Sequence, residues 1–455
     1  LPWWIVLFFL KVYTVMYMFQ KSVKKIMVSY QSIRQSIRSI TGDKIMYSLL
    51  IAGFILGPIW ALPVMGLTLS MGKTLLFISI IGMMLIISIV KLLARGTVTM
   101  YHNKTIWLLL GIMTMTIIGS FFSGFAHHSF FGYSGEITSG LFIIVFCLYV
   151  LFTVYSIKRI EQIGHVSTGI IGLGSLLAVI GLLTLFLGNI IPFFKVPFLK
   201  SMMMIGSWND LMVYLGLFVI TVGLLFDLSV LKPIMKVVLG FFTVVAVIVM
   251  VIINIPLVWM IIAGITCLIS LYSISFMYWD KESKSYTKTS RIPVYTVIVF
   301  IITISALVST NQIHQVTSSL TPPNSDMRPA FVKTFSAGTV SIKNNWVTGT
   351  GPNSFSHLWD LVKPQNISGT NYATTPFYLG SSTLITWIVT SGIVGMLLWI
   401  GLLIMIVWMM VRLVTYAKLT IHERFLTLSV VSMASYLLVC SLLTIVGSVI
   451  IISLA

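Results

Sequence analysis

The chain has 455 residues, of which 58% are hydrophobic and only 8% are Asp, Glu, Lys or Arg, and its mean hydropathy is +1.05. A soluble domain carries about 25% charged residues, so this composition excludes a water-soluble globule, with or without a single anchor. The formal charge of +18 does not indicate a nucleic-acid partner, because the basic residues fall in short clusters between apolar runs, as cytoplasmic loops require.

The opening segment, "LPWWIVLFFLKVYTVMYMF" (1–19), is long enough to cross a bilayer but is interrupted by Lys11 and rich in aromatics. It either spans or lies in the membrane surface. A basic stretch follows through residue 45. Apolar runs near the length of about 20 residues that a span needs then predict helices over 46–66, 70–90, 105–122, 139–157, 166–191, 211–231, 234–253, 256–278, 292–310, 382–411 and 425–455. The predicted fold is an all-α polytopic membrane protein. It has about 11–12 transmembrane helices: the N-terminal region 1–45, spans over 46–310, a large loop over 311–381, and C-terminal spans over 382–455.

Loop charges orient the bundle. Lys21, Lys24, Lys25, Arg34, Arg38 and Lys44 precede the first of these spans. Lys91, Arg95 and Lys104 follow the second, Lys158 and Arg159 the fourth, and Lys232 and Lys236 the sixth. The segment 280–291 follows the eighth, and Arg412, Lys418 and Arg424 the tenth. Every second loop is basic, so 21–45 is expected in the cytoplasm and 311–381 on the outer face of the cytoplasmic membrane.

The loop 311–381 is too long for a simple connector. Phe331, Phe335, Trp346, Phe355, Trp359, Tyr372 and Phe377 give it enough aromatic surface to pack on the bundle. Within it, "PPNSD" (322–326) signals a helix start, with Ser325 or Asp326 as cap and Pro329 early in the helix. The prediction is a helix over Arg328–Lys343, a break at "TGTGPNSF" (348–355), and a second short helix starting near Asn353 or Ser354.

Of the eight arginines, only Arg328 falls outside under this topology. Positive charge there opposes the topogenic bias and needs a compensating reason. One reading is a cationic pocket for phosphate or pyrophosphate. Arg328 would supply the planar fork, Lys333 and Lys343 would assist, and the glycine turn would present backbone N–H groups. The other reading is that Arg328 and the outer lysines, Lys363, Lys195 and Lys200 among them, are ordinary solvated loop charges near lipid headgroups.

The acids are few. Asp227 lies inside a span near Lys232 and reads as half of an interfacial pair. Ionisable residues near the midplane, which ion-coupled transporters usually carry, are nearly absent. On the outer side stand Glu136, Asp210, Asp326 and Asp360. Helix capping by Ser207, Asn209 or Asp210 accounts for "GSWND". His127 and His128, being adjacent, read as interfacial residues. No HExxH, CxxC or DxD pattern occurs. Cys147, Cys267 and Cys440 each sit in an apolar run, so neither a metal nor another cofactor is expected. Asn366-Ile367-Ser368 fits a glycosylation sequon.

Together, the polytopic bundle, the late large outer loop, "GTGPNSF" and "TSGIVG" (390–395) resemble the O-antigen ligase / O-antigen polymerase superfamily. Arg328, Gly349, Gly351, Pro352, Phe355, Gly392 and Gly395 match its motif positions, and "GSWND" and "FFGYSGE" are similar to segments of divergent members. The resemblance implies a GT-C-like, metal-independent glycosyltransferase. Its donor would be a polyprenyl-pyrophosphate-linked glycan on the outer leaflet, and a lipid, polymer or protein would be the glycan acceptor. It further implies pyrophosphate binding by Arg328, with Lys333 and Lys343 as helpers and Gly349, Gly351 and Asn353 at the turn. The His-Asn pair of that family aligns here with Ser381-Ser382. His357, Asp360 and Glu136 are therefore the candidates for catalytic base. A scaffold subunit that keeps the fold without catalysis is the alternative from another class, one that would have membrane-protein partners. A flippase would need a polar path through the spans that the sequence does not offer.

Overall fold

Why each apolar run stops where it does is visible in its capping residues. In a computed structural model the described residues are 42–60, 68–95, 104–133, 136–157, 160–187, 204–228, 231–282, 293–317, 328–364, 377–415 and 421–454. The opening segment, most of the basic stretch before residue 42, Lys195, Lys200, the "PPNSD" caps and the Asn366 sequon lie outside them. The helices are α1 (Gly42–Ile59), α2 (Leu69–Arg95), α3 (Lys104–Phe122), α4 (Ala126–Phe131), α5 (Gly140–Ser156) and α6 (Ile160–Leu187). Next come α7 (Trp208–Leu228), α8 (Pro233–Ile253), α9 (Pro256–Glu282), α10 (Val294–Val308) and α11 (Thr310–Thr317). The last six are α12 (Phe331–Asn344), α13 (Phe355–Val362), α14 (Thr383–Thr390), α15 (Gly392–Thr415), α16 (Ile421–Leu443) and α17 (Ser448–Leu454).

The α8–α9 hairpin shows the local rules. Pro233 opens α8 in its first turn, where its missing N–H costs nothing. Asn254 closes α8 in the left-handed conformation, at φ 50°, a state Asn tolerates better than other non-glycine residues. Pro256 then starts α9. Ser139 caps α5 by accepting from Phe142 N at 3.3 Å, and Ser382 caps α14 by accepting from Ile385 N at 3.4 Å.

Eight of these helices are long and apolar enough to cross a membrane. The chain is a multi-pass α-helical membrane protein. The apolar helix α5 is shorter, and α10 bends by 74° into α11. A helix that is apolar all round belongs inside the protein, and α7 is that helix: 94% of its spanning window is buried, against 22% for α2 and 17% for α15. Leu211 to Phe218 of α7 have no exposed face at all, and Phe218, Tyr214 and Trp259 of α9 are among the largest wholly buried side chains.

Long-range contacts sort into two ends. At one end Lys91 pairs with Asp43, the Tyr47 hydroxyl meets His165 Nδ1 at 2.8 Å, and Tyr272 donates to Val414 O at 3.3 Å. At the other, Asn254 Nδ2 donates to Thr310 O at 2.9 Å and the segment 328–364 packs on the bundle.

Three expectations change. The span expected over 382–411 is interrupted at Ser391 into α14 and α15, and the one over 425–455 is interrupted at 444–447 into α16 and α17. Asp227 forms no pair with Lys232. Its carboxylate caps α10, accepting from Tyr295 N and Thr296 N, each at 2.9 Å, and from Thr296 Oγ1. An acid at a helix start satisfies free amides and opposes the helix dipole. Asp227→Ala is therefore expected to cost about 1–2 kcal/mol, read as a lower unfolding midpoint in detergent, and Asp227→Asn is expected to cost less.

Candidate functional site

Near the second set of helix ends, 328–364 forms a small packed unit of its own. Ala337 of α12, Phe355, Leu358 and Trp359 of α13, and Val389 of α14 make a separate apolar core. Trp359 meets Phe377 edge-to-face at 5.3 Å. Gly338 lets α12 approach α14 closely, since a Cβ there would lie 3.0 Å from the Val389 Cβ. A helix, a break and a second helix occur in the predicted order, but α12 begins only at Phe331 with Ala330 as its N-cap, so Arg328 and Pro329 precede the helix rather than opening it; α13 begins at Phe355.

The break itself, "TGTGPNSF", is inserted into the interruption between α14 and α15. Gly349, Gly351 and Gly392 all have positive φ, at 65°, 87° and 68°, a region that disfavours any Cβ. Space excludes a Cβ as well. At Gly349 it would lie 2.4 Å from Gly392 N and from Thr390 O, and at Gly351 it would lie 2.6 Å from Gly119 O in α3. The two glycine motifs of the sequence are therefore halves of one backbone-to-backbone contact. Gly349 N donates to Asn345 O at 2.9 Å and Gly351 N to Thr390 O at 3.2 Å. Thr350 N donates to Ser341 Oγ at 3.0 Å. The reading in which this turn cradles phosphate through its amides is corrected for these three: all of them are consumed inside the protein.

Asn353, also left-handed at φ 56°, ties the turn to the segment after α4. Thr138 Oγ1 donates to Asn353 Oδ1 at 2.6 Å. Asn353 Nδ2 donates to Glu136 Oε2 at 3.1 Å and to His128 O at 3.3 Å. Ser129 Oγ donates to Pro352 O at 2.6 Å. Glu136 Oε2 also accepts from Tyr133 N at 2.9 Å, while Glu136 Oε1 accepts nothing among the described residues. The Asn353 amide is fully used, so this residue acts as a latch. His128 stacks on Tyr133 with ring centroids 3.7 Å apart, and its Nδ1 is buried with no partner.

Arg328 meets the other broken helix. Its Nη1 donates to Ser381 O at 3.0 Å and to Leu443 O at 2.7 Å, the latter among the free carbonyls at the end of α16. Every residue of the α16–α17 link is held in turn by another element. Thr444 O accepts from Thr383 N at 3.4 Å, and Ile445 O accepts from Asn209 Nδ2. Val446 exchanges hydrogen bonds with Thr383 Oγ1, at 3.0 and 2.9 Å. Gly447 N donates to Asp210 Oδ1 at 2.6 Å. Unwound buried backbone persists only where other groups satisfy it, and here Arg328, "GSWND" and the start of α14 do so together.

Asp210 closes a capping box on α7. Ser207 N donates to its Oδ2 at 2.9 Å, and Asp210 N donates to Ser207 Oγ at 3.0 Å. Another buried charge is one the sequence reading passed over. Lys73 is 1% exposed and donates through Nζ to Gly57 O at 2.7 Å, a free carbonyl at the end of α1. A lysine four residues after the start of an apolar helix was the available signal, since such residues are rare in spans and need partners. These charges follow one rule: the buried Lys73 and the half-buried Arg328, both cations, sit at helix C-termini, and the buried anion Asp210 sits at an N-terminus.

The remaining candidates are not gathered with these. Lys343, His357 and Asp360 are exposed and Lys333 is half-buried. Asp360 pairs with Lys363 at 3.0 Å across one helical turn. Ser381 and Ser382 are buried, and Ser381 Oγ has no partner. Among the described residues no three His, Cys, Asp or Glu side chains cluster as a metal would require. Compared with protein families, with curated proteins and with solved structures, the chain matches none.

Proposed function

We propose that this protein is a membrane glycosyltransferase that moves a glycan from a polyprenyl-pyrophosphate donor to an acceptor at the outer face of the cytoplasmic membrane. On this reading α1, α5 and α10 join the eight longer helices as spans, giving eleven in a GT-C-like arrangement. The basic clusters face the cytoplasm, and 328–364 faces out. The observation that carries the reading is the half-engaged guanidinium of Arg328. Nη1 is fixed on two carbonyls, while Nε and Nη2 donate to no described residue. No acid pairs with its charge among the described residues. A guanidinium held rigidly along one edge presents the other as a fork for pyrophosphate oxygens.

In the proposed reaction the acceptor hydroxyl oxygen attacks the sugar carbon and the bond to the pyrophosphate oxygen breaks. Configuration inverts, and the departing polyprenyl pyrophosphate carries the negative charge that Arg328 stabilises. Of the three candidate bases, Glu136 fits best. One carboxylate oxygen is fixed by two donors and the other is free to take the hydroxyl proton. His357 and Asp360 lack that support.

The test is reconstitution with a polyprenyl-pyrophosphate glycan. Wild type is expected to bind and consume the donor, Arg328→Ala to lose binding, and Arg328→Lys to recover only part of it, because a point charge replaces a fork. Glu136→Gln is expected to bind donor and lose turnover by about 100-fold or more. Wild type that neither binds nor consumes donor ends the transferase reading. The buried Ser381-Ser382 pair, standing where the resemblance implies His-Asn, favours the scaffold alternative. Donor binding with no turnover under any acceptor would select it.

A further inference from the structure

The outward face of α3 does not stop where its span ends. Lys104, Trp107, Leu110, Thr114, Ile117 and Phe121 are exposed, at helical spacing, while Thr105, Leu109, Ile112, Thr116, Gly119 and Ser120 on the opposite face are buried. This is a helix with one face on the protein and one on lipid. Beyond Phe121 (72% exposed) the stripe continues through Phe122 and, across the corner at Ser123-Gly124, onto Phe125, Phe131 and Tyr133 around α4. His127 and Phe131 stack on the same side of α4, with ring centroids 5.1 Å apart. No charged residue occurs between Lys104 and Glu136.

A loop standing in water does not display five large aromatic rings in 13 residues without a single charge. Aromatic rings do collect where hydrocarbon gives way to headgroups. We infer that the corner after α3 and the helix α4 form an interfacial membrane anchor, with Phe121, Phe122, Phe125, Phe131 and Tyr133 inserted at the headgroup boundary of the bilayer. The partner is the lipid surface itself, because the patch is continuous with the lipid-facing stripe of α3. Only the multi-pass membrane character is needed for this inference, not the transferase reading. It has a consequence for the site nonetheless. Ser129 on the inner side of α4 holds Pro352 and Gly119 meets Gly351, so the anchor fixes the "TGTGPNSF" turn at headgroup depth. That is where the phosphates of a membrane-anchored substrate lie.

Nitroxide labels on single cysteines at 121, 125 and 131, in protein free of Cys147, Cys267 and Cys440 and held in lipid nanodiscs, test it by collision with oxygen and with a water-soluble nickel chelate. Labels at 125 and 131 are expected to collide with nickel several-fold less than a label at Lys343, and with oxygen more. Nickel access equal to that at Lys343 overturns the anchor and puts α4 in water. Exclusion of both reagents overturns it in favour of a protein partner or a second copy. Should position 125 not tolerate labelling, 121 and 122, at the end of the span, give the same comparison.

Discussion

Gly349→Ala is expected to abolish the folded state of the loop unit, and with it function, although the glycine amide is consumed inside the protein. Two independent penalties act together. At φ 65° an alanine pays about 1–2 kcal/mol for the left-handed backbone. Its Cβ would also stand 2.4 Å from Gly392 N and from Thr390 O. Those atoms are backbone, so nothing flexible can yield. The turn must lift out of the α14–α15 interruption, and the Gly351 N to Thr390 O and Ile393 N to Trp346 O hydrogen bonds go with it. A total above about 4 kcal/mol, the range of exceptional single substitutions, is expected as a large fall in unfolding midpoint or failure to recover monodisperse protein. Gly392→Ala should behave alike, since the contact is mutual. Gly82→Ala and Gly164→Ala, where a Cβ meets nothing within 4 Å, are the controls. They should be neutral or stabilising by up to about 1 kcal/mol. If Gly349→Ala unfolds like these controls, the glycine contact is not what seats the turn.

The same contact explains what was legible in the sequence. Periodicity and length found the helices because apolar runs of span length have few alternatives in lipid. Glycine, proline and asparagine marked the loop break because positive φ demands them. Residues 382–411 and 425–455 read as continuous spans because nothing local announces their interruptions. "TSGIVG" is apolar on both sides, and 443–447 is held open by Thr383, Asn209, Asp210 and Arg328, side chains far away in sequence. Such tertiary hydrogen bonds leave no periodic trace. The candidate site divided for the same reason. Glu136 and Asn353 are brought together by a hydrogen bond across 217 positions, whereas His357 and Asp360 look promising beside the motif and point to solvent.

Arg328 sharpens the point about charge. In sequence it is a cation on the wrong side of a membrane, and a phosphate ligand is one way to justify it. In the structure a second reason precedes the first, because the guanidinium closes the C-terminal end of α16. The two roles use different nitrogens. Loss of donor binding in Arg328→Ala would therefore be ambiguous without a stability measurement. Arg328→Lys, which can still cap carbonyls, separates a positioning role from a binding one.

Lys73 and Asp210 yield the second large effect. Both side chains are buried, at 1% and 3% exposure, in a bundle with few other charges. Lys73 closes α1 through Gly57 O, and Asp210 joins the start of α7 to the α16–α17 link through Ser207 N and Gly447 N. Removing either side chain leaves the buried backbone groups it satisfies without their charged partner, which typically costs about 1–3 kcal/mol. Lys73→Met is expected in that range. Asp210→Asn should cost less than removing the side chain, because an amide oxygen can still accept from one of the amides at 207 and 447. The double variant Lys73→Met/Asp210→Asn should be less destabilised than the sum of the singles by about 1–3 kcal/mol, the signature of coupled groups. Unfolding midpoints of the four proteins in one detergent give the cycle. Additivity within about 0.5 kcal/mol would mean that the charges act only as separate helix caps. A positive coupling would show that the last broken helix is held in the bundle by a charge pair that reaches α1, α2, α7 and the start of α17 at once.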